Sequence, residues 1–314
     1  MKKRKLGNTG FKISEIAFGG VGIGMPYAGQ KMPEELDSIH LLEKALDGGI
    51  NFYDTARMYG RSEEMLGKAF KDKREKVVIN TKCVHFLDQD GKIPAKRELV
   101  KIIHKSLENS LKALQTDYID VYMLHQSSLD ILKNEDIIDI FSHLKNKGTI
   151  RAIGASTYLP EETDYCINSG VWDVVQVPFN LMDQRQQVLF KAAVDNGVGL
   201  IVRSVLFRGM LTGRSLNYHK ELEKVKEHIQ RFNSLIGQDI PDMITLATKF
   251  VLSYPPVSSV LIGMDQMKHL DKALQIADGK YYPQTLLGIL EGMAFPEPEF
   301  LNLPQWDRKG WLKN

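Results

Sequence analysis

Gly49-Ile50-Asn51-Phe52-Tyr53-Asp54 is a short run of apolar and β-favouring residues that stops on a carboxylate, with Tyr59 five residues further on. The next such run, Val77-Val78-Ile79-Asn80-Thr81-Lys82, stops on an ammonium, and the one after it, residues 118–125, stops on the imidazole of His125. Residues at the ends of consecutive strands converge only if those strands lie side by side in one parallel sheet. Working outward, runs of the same kind recur at residues 15–20, 150–156, 174–180, 198–204 and 257–263, which makes eight. Most lack polar alternation, as expected of strands covered on both faces by crossover helices. Helical spacing fills the gaps: Leu36, Ile39, Leu42, Ala45 and Leu46 in the first, then Leu99, Ile102, Ile103, Leu107, Leu111 and Leu114 in the third.

Eight alternating units in 314 residues predict a single-domain (β/α)₈ TIM barrel, with an N-terminal hairpin and a C-terminal extension over residues 281–314. The helix after the seventh run comes late, so residues 205–242 read as an extended loop. A doubly wound sheet fits less well, because Gly19, Gly20, Gly22 and Gly24 do not make the G-x-G-x-x-G turn of a dinucleotide fold. The 41 basic and 39 acidic residues are interspersed, for a formal charge of +2, which creates no field for nucleic acid or an anionic membrane. The basic start at residues 2–5 runs into Gly7-Asn8-Thr9-Gly10 rather than an apolar core, unlike a secretion signal. No apolar stretch approaches the roughly 20 residues of a membrane span. Cys83 and Cys166 lack the count and spacing of a disulfide framework or a zinc site, so a reducing cytoplasm and no metal are expected.

In such a barrel the strand-to-helix loops form one face, and that face carries the active site. Asp54, Tyr59, Lys82 and His125 therefore meet at one mouth. A tyrosine hydroxyl ordinarily titrates near 10, and a neighbouring lysine cation favours the phenolate. The expectation is a Tyr59 proton donor tuned by Lys82 and Asp54, with His125 orienting a carbonyl oxygen beside it. Taken singly, the same residues read otherwise: Asp54 and Lys82 as a buried ion pair closing the barrel, His125 as a satisfied structural group, Tyr59 as a loop residue. Their joint placement favours chemistry, because each buried polar group would otherwise need its own partner.

At this point the chain resembles the aldo-keto reductases. The resemblance runs from Leu6-Gly7-Asn8-Thr9-Gly10 to the Met264 region and rests on residues 49–56, Tyr59-Gly60 with Ser62-Glu63 and Leu66-Gly67, Thr81-Lys82, residues 120–125, residues 148–156 and Gln176-Val177-Pro178-Phe179-Asn180. It implies Tyr59 as general acid/base, Lys82 and Asp54 as its tuners and His125 as carbonyl binder. It further implies NADP(H) or NAD(H) at the barrel mouth, reached by Gly22, Ile23 and Asp54. Ser156 and Gln176 match positions that bind the nicotinamide carboxamide, and Thr157 stands where the family usually has asparagine. Arg203 stands where it more often has an aromatic residue; a guanidinium either lies against the ring or turns aside to a carboxylate or phosphate. Ser204, Leu206, Gly209 and Leu211 resemble the loop that covers the pyrophosphate. At the adenosine end Gly263, Asp265 and His269 hold the places where many members carry basic residues for a 2′-phosphate. Asp265 suits a free ribose hydroxyl, or it is only the N-cap of the helix bearing Leu270, Ala273 and Leu274.

The reaction implied is reduction of a small-molecule aldehyde or ketone, or oxidation of the matching alcohol, possibly a sugar. Two other readings stand beside it. Lys82 at a strand end suits a Schiff-base lyase, and the resembled family includes cofactor-sensing regulatory partner subunits. Specificity is expected from the loops at 21–32, 85–95 and 127–134 and from the C-terminal tail. There Tyr27, Phe86, Trp306 and Trp311 either line a pocket or pack ordinarily.

Overall fold

The computed structural model describes residues 1–27, 30–213 and 219–312. Parts of three stretches discussed above lie outside the described residues: Ala28 and Gly29, residues 214–218, and residues 313 and 314. A hairpin of β1 (Lys3–Lys5) and β2 (Lys12–Ser14) opens the chain. Eight parallel strands follow: β3 (Ile16–Gly19), β4 (Phe52–Asp54), β5 (Val78–Lys82), β6 (Ile119–Leu124), β7 (Ile150–Ser156), β8 (Val174–Pro178), β9 (Gly199–Arg203) and β10 (Val257–Gly263). They pair in chain order and close through β10 onto β3, giving the (β/α)₈ barrel expected from the eight runs.

The two-residue period of a strand sorts the side chains into two layers. Ala17, Phe52, Val78, Val121, Met123, Ala152, Val174 and Ile201 fill the barrel interior, and Leu6 and Ile13 of the hairpin pack into the same cluster. Their neighbours Phe18, Tyr53, Ile79, Tyr122, Ile153, Val175 and Val202 face the helices. Extending the inward parity toward the carboxyl ends brings Asp54 after Phe52, Asn80 and Lys82 after Val78, Ser156 after Ala152, Gln176 after Val174 and Arg203 after Ile201. The polar residues at the mouth thus continue the file that makes the dry interior below them.

Two of the expected helices form as Glu35–Asp47 and Lys96–Leu114. Leu36, counted on the buried face of the first, is exposed instead, while Leu41, Leu42 and Ala45 carry the packing. Residues 205–242 differ more from expectation. In place of a plain loop they hold the turn Phe207–Thr212, the helix Glu223–Gln230 and the turn Arg231–Leu235. Charged residues dominate Glu223–Gln230, but Leu222, Val225, His228 and Phe232 are buried and anchor it. Beyond the barrel, the helices Gln284–Glu291 and Leu303–Arg308 follow, and the fully buried Trp306 packs against Phe207 with ring centroids 5.7 Å apart. Trp306 and Phe86 are therefore packing groups, whereas Tyr27 lines the cleft described next.

Candidate active site

A cleft of about 790 Å³ opens at the carboxyl ends of the strands. Asp54, Tyr59, His125, Ser156, Gln176 and Arg203 line one end, and Asp265, Lys268, His269 and Lys272 line the other. Gly19, Gly20, Gly22 and Gly263 form part of the wall between them.

Asp54 is the hub of the catalytic end. Its carboxylate accepts from Lys82 Nζ at 2.8 and 2.9 Å, from Asn80 Nδ2 at 2.5 Å and from Gln176 Nε2 at 2.7 Å. Lys82 is fully buried, and its third contact is the Thr55 carbonyl at 2.9 Å. The ammonium lies 5.0 Å from the centre of the Tyr59 ring. Tyr59 is positioned by backbone: its amide donates to Ala56 O, its carbonyl accepts from Ser62 N, and Arg61 N reaches Gly24 O. Gly24 is required there, since a Cβ would come 2.0 Å from the Tyr59 carbonyl oxygen. Gly60, at φ +53°, would bring its own Cβ 2.2 Å from Gly24 O. The two glycines let the β3 and β4 loops touch and so set where the phenol stands.

The His125 ring meets Tyr59 edge-on at 5.5 Å and His85 at 5.2 Å. Its Nδ1 is buried with no hydrogen-bond partner among the described residues. Burial, and then Lys82, His85 and Arg203, push the imidazole down to about 2, so it is neutral at physiological pH. Burial also pulls the Lys82 ammonium below its ordinary value, against the opposing pull of Asp54. The expected acidification of Tyr59 is not what this structure contains. Burial raises the phenol, Asp54 raises it further, and the cation that opposes them is Arg203. Burial outweighs the nearby cation, and the Asp54 carboxylate that holds Lys82 adds to the rise through its own charge.

The remaining expected residues divide. Ser156 Oγ donates to Gln176 Oε1 at 3.3 Å, and both side chains line the cleft. Thr157 does not line it: the hydroxyl pairs with Thr163 at 2.7 Å. Arg203 lines the cleft but has turned onto neutral partners, the Thr157 carbonyl at 2.7 Å and the Tyr158 ring at 4.1 Å. Gly22, Ser204, Leu206 and Gly209 line the cleft, whereas Ile23 and Leu211 are buried behind it. The amides of Gly209 and Leu211 both donate to the Leu206 carbonyl, so this conformation does not offer them to a phosphate. At the far end Asp265 and His269 are joined at 2.5 Å, and Gln266 occupies the N-cap position, so Asp265 is not the cap.

Several residues of the site carry no expectation from the sequence. Asn80, buried behind the cleft as a donor to Asp54, shares the inward parity of Val78 and Lys82, which is its signal in the chain. Tyr158, Arg208 and Asp307 come from three separate segments, and Arg208 bridges two sides of the cleft by pairing with Asp307 at 3.2 Å beneath Tyr27. Lys272 pairs with Asp242, the cap of the helix Met243–Leu252, at 2.5 Å.

Barrel, hub and cleft together define a (β/α)₈ barrel protein with paired polar groups gathered at the carboxyl ends of its strands. The sequence profile described as "Aldo/keto reductase family" matches residues 15–285. Aldo-keto reductase YhdN of Bacillus subtilis is 30% identical, over 88% of this chain and 88% of its own. The NADH-specific methylglyoxal reductase of Escherichia coli is 29% identical, over 84% and 89%. Among solved structures, the holo form of aldo-keto reductase AKR11C1 from Bacillus halodurans superposes with a TM-score of 0.79, at 26% identity over 94% of this chain and 96% of its own. The chain belongs to the aldo/keto reductase family. It is an NAD(P)-dependent oxidoreductase. Among the described residues no helix is long and apolar enough to cross a membrane.

The cleft suits such a cofactor. It lies within the volume range of small-molecule sites, has a hydroxyl and an amide at one end, lacks side chains along its glycine wall, and carries Lys268 and Lys272 at the other end.

Proposed function

We propose that this enzyme reduces a small-molecule aldehyde or ketone, or runs the reverse oxidation, with Tyr59 moving the proton at the carbonyl oxygen. The observation that carries the reading is the Asp54 hub: one carboxylate ties Lys82, Asn80 and Gln176 together beside Tyr59 and His125 at one end of the cleft. The bound nicotinamide supplies or accepts the hydride. Ser156 and Gln176 hold its carboxamide end, and Gln176 thereby couples the cofactor position to Asp54. His125, kept neutral, donates a hydrogen bond to the carbonyl oxygen, and Tyr59, kept protonated by burial, delivers the proton. Replacing Tyr59 by Phe removes the transferable proton and leaves the backbone clasp intact. Carbonyl reduction should fall about 10²–10⁴-fold while cofactor binding and fold persist. Wild-type kcat on a true substrate would reject the assignment.

A Schiff-base role for Lys82 is disfavoured by geometry. Its three N–H donors face two Asp54 oxygens and the Thr55 carbonyl, which leaves no lone pair directed at a substrate. Borohydride trapping of substrate on Lys82 would reverse this conclusion.

The relatives' names extend from methylglyoxal reductase to the L-galactose dehydrogenase of Arabidopsis thaliana. We read the substrate as a small aldehyde or ketone, or the matching alcohol, possibly a sugar, which a turnover panel resolves. By its resemblance Asp265 stands where many family members carry a basic residue for a 2′-phosphate, and it lines the cleft, so we infer that NADH binds at least as well as NADPH. Titration of both cofactors tests this, and a strong preference for NADPH rejects it. We read the chain, with residues 281–314 included, as one domain. We place it in the cytoplasm because Cys83 and Cys166 are buried, unpaired thiols suited to a reducing compartment; cell fractionation checks the placement.

A further inference from the structure

The charges at the catalytic end of the cleft do not cancel. Asp54 compensates Lys82 at 2.8 Å, and Asp307 compensates Arg208 at 3.2 Å. Arg203 has no carboxylate partner among the described residues. Its guanidinium donates to the Thr157 carbonyl at 2.7 Å and to Ser204 Oγ at 3.2 Å, and lies over the Tyr158 ring at 4.1 Å. All three partners are neutral, and a guanidinium does not lose its proton in proteins. One fixed positive charge therefore remains.

Strand register puts that charge beside the groups assigned to the nicotinamide carboxamide. Pro178 pairs with Arg203 and Gln176 with Ile201 across β8 and β9, and Ser156 pairs with Gln176 across β7 and β8. Ser156, Gln176 and Arg203 are thus neighbours at adjacent strand ends, and all three line the cleft. The charge is felt by the catalytic groups: it helps hold His125 neutral, after burial, Lys82 and His85, and it opposes the rise that burial and Asp54 impose on Tyr59.

The reduced nicotinamide ring is neutral and the oxidised ring is a cation. We propose that Arg203 is the residue that makes this cleft select the reduced cofactor over the oxidised one, by placing an uncompensated guanidinium at the end that takes the ring. The inference rests on the cofactor placement proposed above. Its consequence is kinetic: the oxidised cofactor formed in carbonyl reduction is bound less well than the reduced one that enters, so the spent cofactor is released readily and replaced.

Equilibrium titration of reduced and oxidised cofactor into wild type, Arg203→Gln and Arg203→Lys tests this without turnover. Glutamine retains an N–H donor for the Thr157 carbonyl but no charge; lysine retains the charge. Wild type and Arg203→Lys should bind the reduced form more tightly, and Arg203→Gln should narrow the ratio of the two dissociation constants by about tenfold or more, the scale of a like-charge contact in a partly buried site. An unchanged ratio in Arg203→Gln overturns the proposal, as does an equal loss of both forms, which would make Arg203 a prop for Tyr158 and the Thr157 loop. If Arg203→Gln does not fold, as judged by circular dichroism, Arg203→Met is titrated against Arg203→Lys with the same two outcomes. A wild type that binds neither form rejects the cofactor placement itself, a result distinct from an unchanged ratio.

Discussion

The barrel carries an ion-pair cluster at each end: the carboxyl-end one faces the cleft of about 790 Å³, and the amino-end one borders a more open pocket of about 570 Å³ lined by Arg74 and Tyr118. At the amino-terminal end Asp120 accepts from Arg74 at 2.7 Å, from the Ile79 amide at 2.9 Å and from Arg151 at 3.3 Å, with Tyr118 lying 4.1 and 3.7 Å from the two guanidiniums. Every acceptor there is satisfied. At the carboxyl end Asp54 and Lys82 are as well paired, but Asn80 Oδ1 and His125 Nδ1 beside them are buried without partners among the described residues. Among the described residues four non-glycine residues have positive φ: Ser204, Phe207 and Arg208 in the loop over the same cleft, and Gln115 at the amino-end pocket. Pairing a buried charge is thus common to both ends. What separates the working end is unfinished hydrogen bonding and the larger share of the backbone strain, both kept where a ligand can use them.

The comparison breaks most visibly when one cation is removed from each cluster. Lys82→Met strands Asp54 and should cost about 3–5 kcal/mol of stability, and Arg74→Met should cost about as much or somewhat less, because Arg151 and the Ile79 amide still serve Asp120. Only Lys82→Met should also abolish most turnover. Without Lys82 the charge of Asp54 acts unopposed on a phenol that burial and Asp54 already raise, so Tyr59 becomes a still poorer acid and kcat falls across the accessible pH range. Denaturant unfolding and pH–rate measurements on both variants decide it, and an Arg74→Met enzyme as slow as Lys82→Met would erase the distinction.

A smaller effect is expected from the backbone clasp. Gly24→Ala should push the Tyr59 turn aside and lower kcat about 10²-fold, as misplacement of a catalytic group by about an ångström does. Cofactor affinity should change little, and a variant with full kcat would show that the β3 and β4 loops separate without moving the phenol.

The smallest effect sharpens the contrast by pH. His125 is held neutral down to about 2 in the folded protein, against an ordinary value of 6.5 in the unfolded chain. Below 6.5 the unfolded state binds the extra proton, so this stabilisation is complete above that pH and declines as pH falls toward 2. Between about pH 6.5 and about pH 4.5 the loss should be up to about 2 kcal/mol, reduced by solvent screening at a half-buried ring. His125→Phe should flatten that part of the stability curve. If unfolding at about pH 7 and about pH 4.5 shows the same slope in both proteins, another group is responsible.

Eight apolar runs with helical spacing between them were enough to determine the barrel, because strand and helix periods are local properties of the chain. The positions of Asp54, Lys82 and His125 at strand ends were equally plain, and so was their convergence, since parallel strand order follows chain order here. Other features depended on contacts between distant segments. The helix Glu223–Gln230 was hidden because its charged face outweighs the few residues, Leu222, Val225 and Phe232, that tertiary packing buries. Thr157 left the cleft because Thr163, on the following helix, captured its hydroxyl. The acidity of Tyr59 runs opposite to expectation because burial depends on the whole mouth, and because Asp54, which holds Lys82 from 28 residues away in sequence, raises the phenol through its own charge. The uncompensated charge of Arg203 depends on Asp54 and Asp307 being committed to Lys82 and Arg208. Residue type and period are written in the chain, whereas the sum of charges and the depth of burial at a point are set by everything the fold brings to it.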